Sequence, residues 1–254
     1  MKKDNKTIRR ILLTGASSGI GLALLKELIE KDYYVYGIGR NFSACLNGEG
    51  RLLPQFDEKR CTLINFDLSE TGKLPDMIKS IIGSVPVDIL INNAGVAYYG
   101  NHETIAAEHI EEMVTVNLTV PMILSKLVLP AMKQKGSGMI VNISSVTAKS
   151  NNNTHGCAYG ATKAGLSSFG MSLFEEARKS GVKVMNIHPD LTDTALYRNA
   201  DLLPGVDNDA HLEAEEIAKM TVDSIDEMYR IPGLNISDIT LRPLKNVIQK
   251  KQKN

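Results

Sequence analysis

The sequence predicts an α/β fold in which a parallel sheet carries helices on both of its faces. Short β-prone runs alternate with longer stretches whose apolar residues recur at helical spacing. The runs are apolar at successive positions, as in Ile11-Leu12-Leu13, which suits strands buried on both sides and not a half-exposed antiparallel sheet. A glycine-rich turn between the first run and the first helix points the same way.

In chain order, residues 8–13 form the first strand, and the turn Thr14-Gly15-Ala16-Ser17-Ser18-Gly19 follows. Residues 21–31 read as a helix with Leu22, Leu25, Leu28 and Ile29 on one stripe. Residues 35–38 are a second strand and 61–66 a third, ended by Asp67. Residues 73–83 are helical from Leu74-Pro75, and 87–91 are a buried strand. Residues 106–135 form a long helical region, with a break expected at Pro121. A strand over 139–143 ends in Ser144 and Ser145, a helix covers 159–180, a strand 182–187, a helix 213–229 and a last strand 236–241. Residues 41–59 and 190–212 lack a clear pattern. Patternless stretches of that length are usually functional, and the second follows a strand end, so a substrate lid is expected over 190–212.

Composition limits the remaining classes. With 254 residues, 43% hydrophobic and 23% charged, disordered, collagen-like and disulfide-scaffold chains are excluded, and roughly three quarters of the unfolded surface can be buried. Lysine plus arginine equals aspartate plus glutamate at 29 each, so nothing electrostatic favours nucleic acid or an anionic membrane as partner. Cys45, Cys61 and Cys157 are scattered and odd in number, which reads as reduced thiols of a cytoplasmic protein, with no metal site. The basic N-terminus and apolar residues 11–13 imitate a signal peptide, but the glycine turn breaks the run, so none is expected. The apolar stretch 121–132 is too short to span a bilayer and contains Ser125 and Lys126. Lys245, Lys250, Lys251 and Lys253 read as a solvated end.

The turn carries the first functional signal. Gly15, Gly19 and Gly21 remove side chains where a dinucleotide pyrophosphate must approach the backbone, and the helix behind the turn offers N–H groups and a positive dipole end. Its spacing, Gly-x-x-x-Gly-x-Gly, differs from the common Gly-x-Gly-x-x-Gly, and only the strand–turn–helix context gives it weight. Where an acidic residue would bind the 2′-OH of NAD, the second strand runs Ile38-Gly39-Arg40. A guanidinium there pairs with a 2′-phosphate, so NADP(H) is expected in preference to NAD, with Ser17 and Ser18 adding hydrogen bonds. A solvated Arg40 is the plainer alternative. Asp67 is placed to take the adenine amino group or, equally, to cap its strand.

The second signal is Tyr159-Gly160-Ala161-Thr162-Lys163, a phenol and an ammonium on one helix face. A phenol is a poor acid–base near neutrality, and a lysine charge beside it favours phenolate. Such a pair is common by chance, but Ser145 stands 14 residues earlier at a strand's carboxyl end, where parallel-sheet sites open. Asn92-Asn93-Ala94-Gly95 ends another strand, and Asn117 sits in an apolar helical stretch where a polar side chain needs a hydrogen-bonding reason.

Taken together and in this order, Thr14-Gly15-x3-Gly19-x-Gly21, Asn92-Asn93-Ala94-Gly95, Asn117, Ser145 and Tyr159-x3-Lys163 resemble the short-chain dehydrogenase/reductase family, in its single-domain branch of about 250 residues. The resemblance spans residues 8 to about 243. It implies a Rossmann-type doubly wound fold with a seven-stranded parallel sheet, and one domain over 1–254. It implies an Asn117–Ser145–Tyr159–Lys163 tetrad. In it Tyr159 is the general acid/base, Ser145 binds the substrate oxygen, Lys163 holds the nicotinamide ribose and assists the tyrosine, and Asn117 fixes a relay water. Gly15, Ser17, Ser18, Gly19, Ile20, Gly21, Arg40, Asp67, Asn93, Ala94, Gly95, Tyr159, Lys163, Pro189, Thr192 and Thr194 are the cofactor residues so implied. The expected reaction passes hydride between NADP(H) and a small alcohol or carbonyl substrate, in a homodimer or homotetramer. A non-catalytic NADP(H)-sensing protein and an epimerase or dehydratase on the same fold are the alternatives. Tyr98, Tyr99, His102 and Tyr197 are candidate substrate contacts, and His155 and His188 are read as structural. Two departures stand out. His188-Pro189-Asp190 replaces the family's Pro-Gly, and the Ser145–Tyr159 interval is one residue longer than the family's usual one, through Asn151-Asn152-Asn153-Thr154. Ser144 is the fallback for the serine.

Overall fold

A computed structural model describes residues 8–83, 86–150, 154–194, 196, 202–204, 209–245 and 248–250. The chain alternates strand and helix: β1 (Arg10–Thr14), α1 (Gly19–Glu30), β2 (Tyr34–Gly39), β3 (Cys61–Asn65), α2 (Leu74–Ile82), β4 (Ile89–Asn92), α3 (Ala107–Val114), α4 (Val120–Lys135), β5 (Gly138–Ile143), α5 (Cys157–Ala177), β6 (Val182–Pro189), β7 (Leu202–Pro204), α6 (Ala214–Arg230), β8 (Asp238–Leu241) and β9 (Ile248–Lys250). Seven strands form one sheet in the order β3-β2-β1-β4-β5-β6-β8, and every pair in it is parallel. The expected seven-stranded Rossmann-type sheet is present.

Continuous apolar strands follow from two cores, one on each face. Ile11 and Leu13 of β1 and Ile89 and Ile91 of β4 pack with α1 and α6. Leu12 and Leu90, pointing the other way, pack with α2, α4 and α5. Side chains alternate along a strand, so both parities must be apolar when both faces are covered.

A buried polar seam crosses the sheet. Asn92, Asn142 and Asn186 lie in register on β4, β5 and β6. Asn92 Nδ2 donates to Asn142 Oδ1 at 2.9 Å, and Asn142 Nδ2 donates to Asn186 Oδ1 at 3.0 Å. Gly170 of α5 makes room for it: a Cβ there would lie 2.3 Å from Asn186 Oδ1 and 2.7 Å from Asn142 Nδ2.

Two expectations need correction. The long helix does not break at Pro121; it continues from α3 into α4 through one π turn, Thr115–Thr119. Pro121 has no N–H for the carbonyl four residues back, and widening the preceding turn absorbs that loss. As a continuous helix, Ala107–Lys135 has the length and mean hydropathy to cross a bilayer, unlike residues 121–132 alone; Val120, Leu124, Val128 and Met132 instead pack on the sheet. The C-terminal segment is not simply solvated. β9 pairs antiparallel with β7, and Lys245 Nζ meets Asp209 Oδ2 at 2.8 Å. Lys251 and Lys253 lie outside the described residues.

Candidate active site

The order of strands reverses between β1 and β4, and a cleft opens there at the strands' carboxyl ends. The glycine turn closes tightly because side chains are missing. A Cβ at Gly21 would lie 1.9 Å from the carbonyl oxygen of Gly15, and Gly15 itself has φ +68°. Thr14 and Asn93 join this turn to β4. Thr14 Oγ1 accepts from the backbone N–H groups of Asn93 and Ala94, both at 3.0 Å. Asn93 Nδ2 donates to the carbonyls of Thr14 at 2.9 Å and Gly15 at 3.3 Å. Asn93 therefore shapes the turn with its side chain.

Helix α1 starts directly from the turn, and Ser18 at its N-cap makes no side-chain cap. Its first N–H groups face the cleft through Gly19, Ile20 and Gly21. The end of β2 touches the turn, since a Cβ at Gly39 would meet Ser17 Oγ at 2.7 Å. Arg40 follows, exposed on the cleft. Asp67 Oδ1 accepts from Ser69 N at 2.9 Å and Ser69 Oγ at 2.8 Å. These bonds hold its carboxyl below the usual carboxylate range, and the Arg40 charge adds to them.

On the other side of the reversal, β5 ends in two serines with different surroundings. Ser144 Oγ is bound into α5, donating to the carbonyl of Lys163 at 3.0 Å and pairing with Ser167 Oγ at 2.8 Å. Ser145 Oγ accepts from Thr147 N at 3.2 Å. Tyr159 and Lys163 occupy the first turns of α5, both 3% exposed. Lys163 Nζ lies 5.8 Å from the Tyr159 ring centroid and donates to the carbonyl of Ile143 at 2.8 Å. Loss of water brings its pKa down from 10.5 to about 8. Gly95 lies against it: a Cβ there would stand 3.4 Å from Nζ.

Asn117 sits in the π turn, fully buried. Its Oδ1 accepts from Val96 N at 2.8 Å, and its Nδ2 donates to Val96 O at 2.9 Å and Thr162 Oγ1 at 3.1 Å. The amide thus clamps the segment after β4 to α5. Pro121 leaves its main-chain carbonyl without the usual helical N–H.

One cavity of about 540 Å³ joins these parts, a size typical of ligand pockets. Every residue expected at the cofactor site lines it, as do Ser145, Tyr159 and Lys163. Asn117 does not; it works from behind the wall. Tyr98 and Tyr99 line the cavity, and the Tyr99 ring is 5.7 Å from that of Tyr159. His102 is instead at 3.4 Å from Cys157 Sγ. Tyr197, Asn151, Asn152, Asn153 and most of 195–208 lie outside the described residues. The described lid ends are stitched together, with Leu212 N donating to Leu191 O at 2.8 Å and Asp193 N to Leu212 O at 2.9 Å.

Asp190 fits its position without left-handed backbone, since the described non-glycine residues at positive φ are Asp32 and His155. Its N–H donates to Leu241 O at 2.9 Å, and its Oδ1 accepts from Leu191 N at 2.9 Å. Sequence reasoning missed Glu112, whose Oε2 accepts from Tyr98 OH at 2.6 Å, and Arg242, both on the cavity. Arg242 directly follows β8, so the strand-end rule that found Ser145 would have found it; nothing in the sequence pairs Glu112 with Tyr98.

The short chain dehydrogenase family model matches residues 9–202. An uncharacterized oxidoreductase of Staphylococcus epidermidis is 29% identical over 236 residues, 92% of this chain and 96% of the relative. The ketoacyl reductase HetN of Nostoc sp. is 31% identical over 186 residues, 72% of this chain and 63% of the relative. A short-chain dehydrogenase from Sphingobium yanoikuyae, solved in complex with NADPH, matches at TM-score 0.76 and 26% identity, over 92% of this chain and 87% of that one.

Proposed function

The chain belongs to the short-chain dehydrogenase family, and from that premise we propose that it is an NADP(H)-dependent oxidoreductase acting on an alcohol/carbonyl pair. The observation that carries the reading is the single cavity in which Tyr159, Lys163 and Ser145 share walls with the uncapped start of α1 and with Arg40. The residues fit a dinucleotide. The glycine turn removes side chains where the pyrophosphate would lie, the free N–H groups suit its charge, and Gly95 packs directly against Lys163, with a Cβ there 3.4 Å from Nζ. No carboxylate ends β2, and Arg40 is free to meet a 2′-phosphate.

When bound, NADPH supplies hydride from its nicotinamide ring. The chain's own residues handle the proton and the oxygen. Tyr159 donates its phenolic proton to the carbonyl oxygen on reduction and takes it back on oxidation. Ser145 Oγ hydrogen-bonds that oxygen as charge develops on it. Lys163 favours the phenolate by its charge, which is present below about pH 8. Asn117 fixes the wall and offers its main-chain carbonyl to a relay water. Tyr98 and Tyr99 contact the substrate from the cavity wall. The whole chain is read as one domain. Free Cys45, Cys61 and Cys157 support a cytoplasmic setting, and exposed Met122 on α4 and Met171 on α5 support a homodimer or homotetramer.

The test is a panel of aliphatic and aromatic ketones and aldehydes followed by NADPH absorbance. Wild type turns over a panel member; Tyr159→Phe does not, yet still binds NADPH. Normal turnover by that variant rejects the assignment, and NADPH binding without turnover by wild type favours the sensing protein.

A further inference from the structure

His188 has no part in the reaction described above, yet its ring is completely buried between two site elements. It lies on β6, one residue before Pro189, and its ring bonds on both sides. Its Nδ1 is 3.2 Å from the carbonyl oxygen of Ser145, and its Nε2 is 2.6 Å from Asp238 Oδ1 on β8. A carbonyl oxygen only accepts, so Nδ1 carries a hydrogen. Lys149 Nζ is 3.6 Å from the same Asp238 oxygen and 3.2 Å from Thr240 Oγ1. Asp238 is therefore held in place, and it orients the ring.

The carbonyl so held belongs to Ser145, two residues past the end of β5 and the cap of the short turn Val146–Lys149. It also accepts from Ala148 N at 3.0 Å. Two donors from two directions fix the peptide plane after Ser145, and hence the origin of its side chain. A misplacement of about 1 Å in such a group costs on the order of a hundredfold in rate.

We propose that His188, held by Asp238, is a positioning residue that sets the Ser145 backbone for hydrogen bonding to the substrate oxygen. The proposal rests on the reading of Ser145 as the oxygen-binding group. Its predictions separate from that reading because each has its own variant.

The first measurement needs no activity. Histidine-labelled NMR of the ligand-free protein is expected to show a slowly exchanging Nδ1–H on His188; a ring with bare Nδ1 overturns the proposal. The second is a double-mutant cycle on the best carbonyl of the panel. His188→Leu is expected to lower kcat about tenfold with the NADPH Kd unchanged, but to change kcat under about twofold in a Ser145→Ala background. Equal tenfold losses in both backgrounds overturn the proposal. Should His188→Leu fail to fold, Asp238→Leu on the edge strand replaces it in the cycle. Asp238→Asn, which can still bond Nε2, is expected to lose less kcat than Asp238→Leu, and the reverse order also overturns the proposal. Normal turnover by Tyr159→Phe rejects the underlying reading instead.

Discussion

Replacing Lys163 with methionine is expected to end turnover and, near pH 7, to make the ligand-free protein more stable. The side chain is 3% exposed, and its Nζ donates to the Ile143 carbonyl. Burial lowers its pKa from 10.5 to about 8, whereas in the unfolded chain it returns to the ordinary lysine value. A base whose folded-state pKa is lowered costs stability wherever both states are protonated. At about 1.4 kcal/mol per pH unit, this fall costs about 3 kcal/mol near pH 7. Between about pH 8 and 10.5 the native state sheds the proton while the unfolded state keeps it, so the cost shrinks as pH rises and is gone above that window. Methionine has similar length and no charge, so it removes the cost, but it orphans the Ile143 carbonyl at about 1–2 kcal/mol. The net expectation is a gain of about 1–2 kcal/mol near pH 7 and a loss of similar size near pH 10.5. Urea titrations of both proteins at the two pH values measure it. A difference between wild type and variant that does not change with pH, or that moves the other way, refutes the reasoning.

The remaining predictions are smaller experiments. Arg40→Ala should weaken NADPH binding by about tenfold and leave NADH nearly untouched, because the exposed guanidinium meets only the extra phosphate; equal losses in both titrations reject that role. Ser145→Ala should lower kcat by about a hundredfold, as removal of one donor to a developing oxyanion does. Ser144→Ala should instead cost about 1 kcal/mol of stability, since its hydroxyl is bound into α5; the opposite assignment of the two effects transfers the role to Ser144. Gly170→Ala should destabilise by about 2–3 kcal/mol by pressing on the asparagine seam, and an unchanged urea midpoint shows that the seam yields.

The sheet was legible because it is buried on both faces. Ile11, Leu12 and Leu13 had to be apolar in succession, and that pattern survives in one dimension. The glycine turn and the Tyr159–Lys163 pair were legible too, since each is a local spacing imposed by backbone approach or by one turn of helix. The π turn was not: Pro121 announced a disturbance, but only the packing of α3 and α4 on the sheet decided that the helix would widen and continue. The sequence places Ser145 in the site, with Ser144 as the fallback. The two are chemically identical neighbours that both line the cavity, and only packing shows that the Ser144 hydroxyl is bound into α5 while Ser145 Oγ accepts from Thr147 N. The pairing of β9 with β7 joins segments more than forty residues apart, and short pieces of that kind carry no periodic signature.

By itself, then, the sequence determined what repeats or is local: the alternation of strand and helix, the glycine turn, the phenol–ammonium pair and a basic residue, Arg40, after the second strand. Only the tertiary structure decided what depends on groups distant in the chain. It put Lys163 out of water and so lowered its pKa, bound the Asn93 and Asn117 amides to neighbouring segments, and set His188 between Ser145 and Asp238. The physical reason is range. Propensity and periodicity act over a few residues, whereas desolvation and hydrogen-bond partnership are fixed only when strands from different parts of the chain meet.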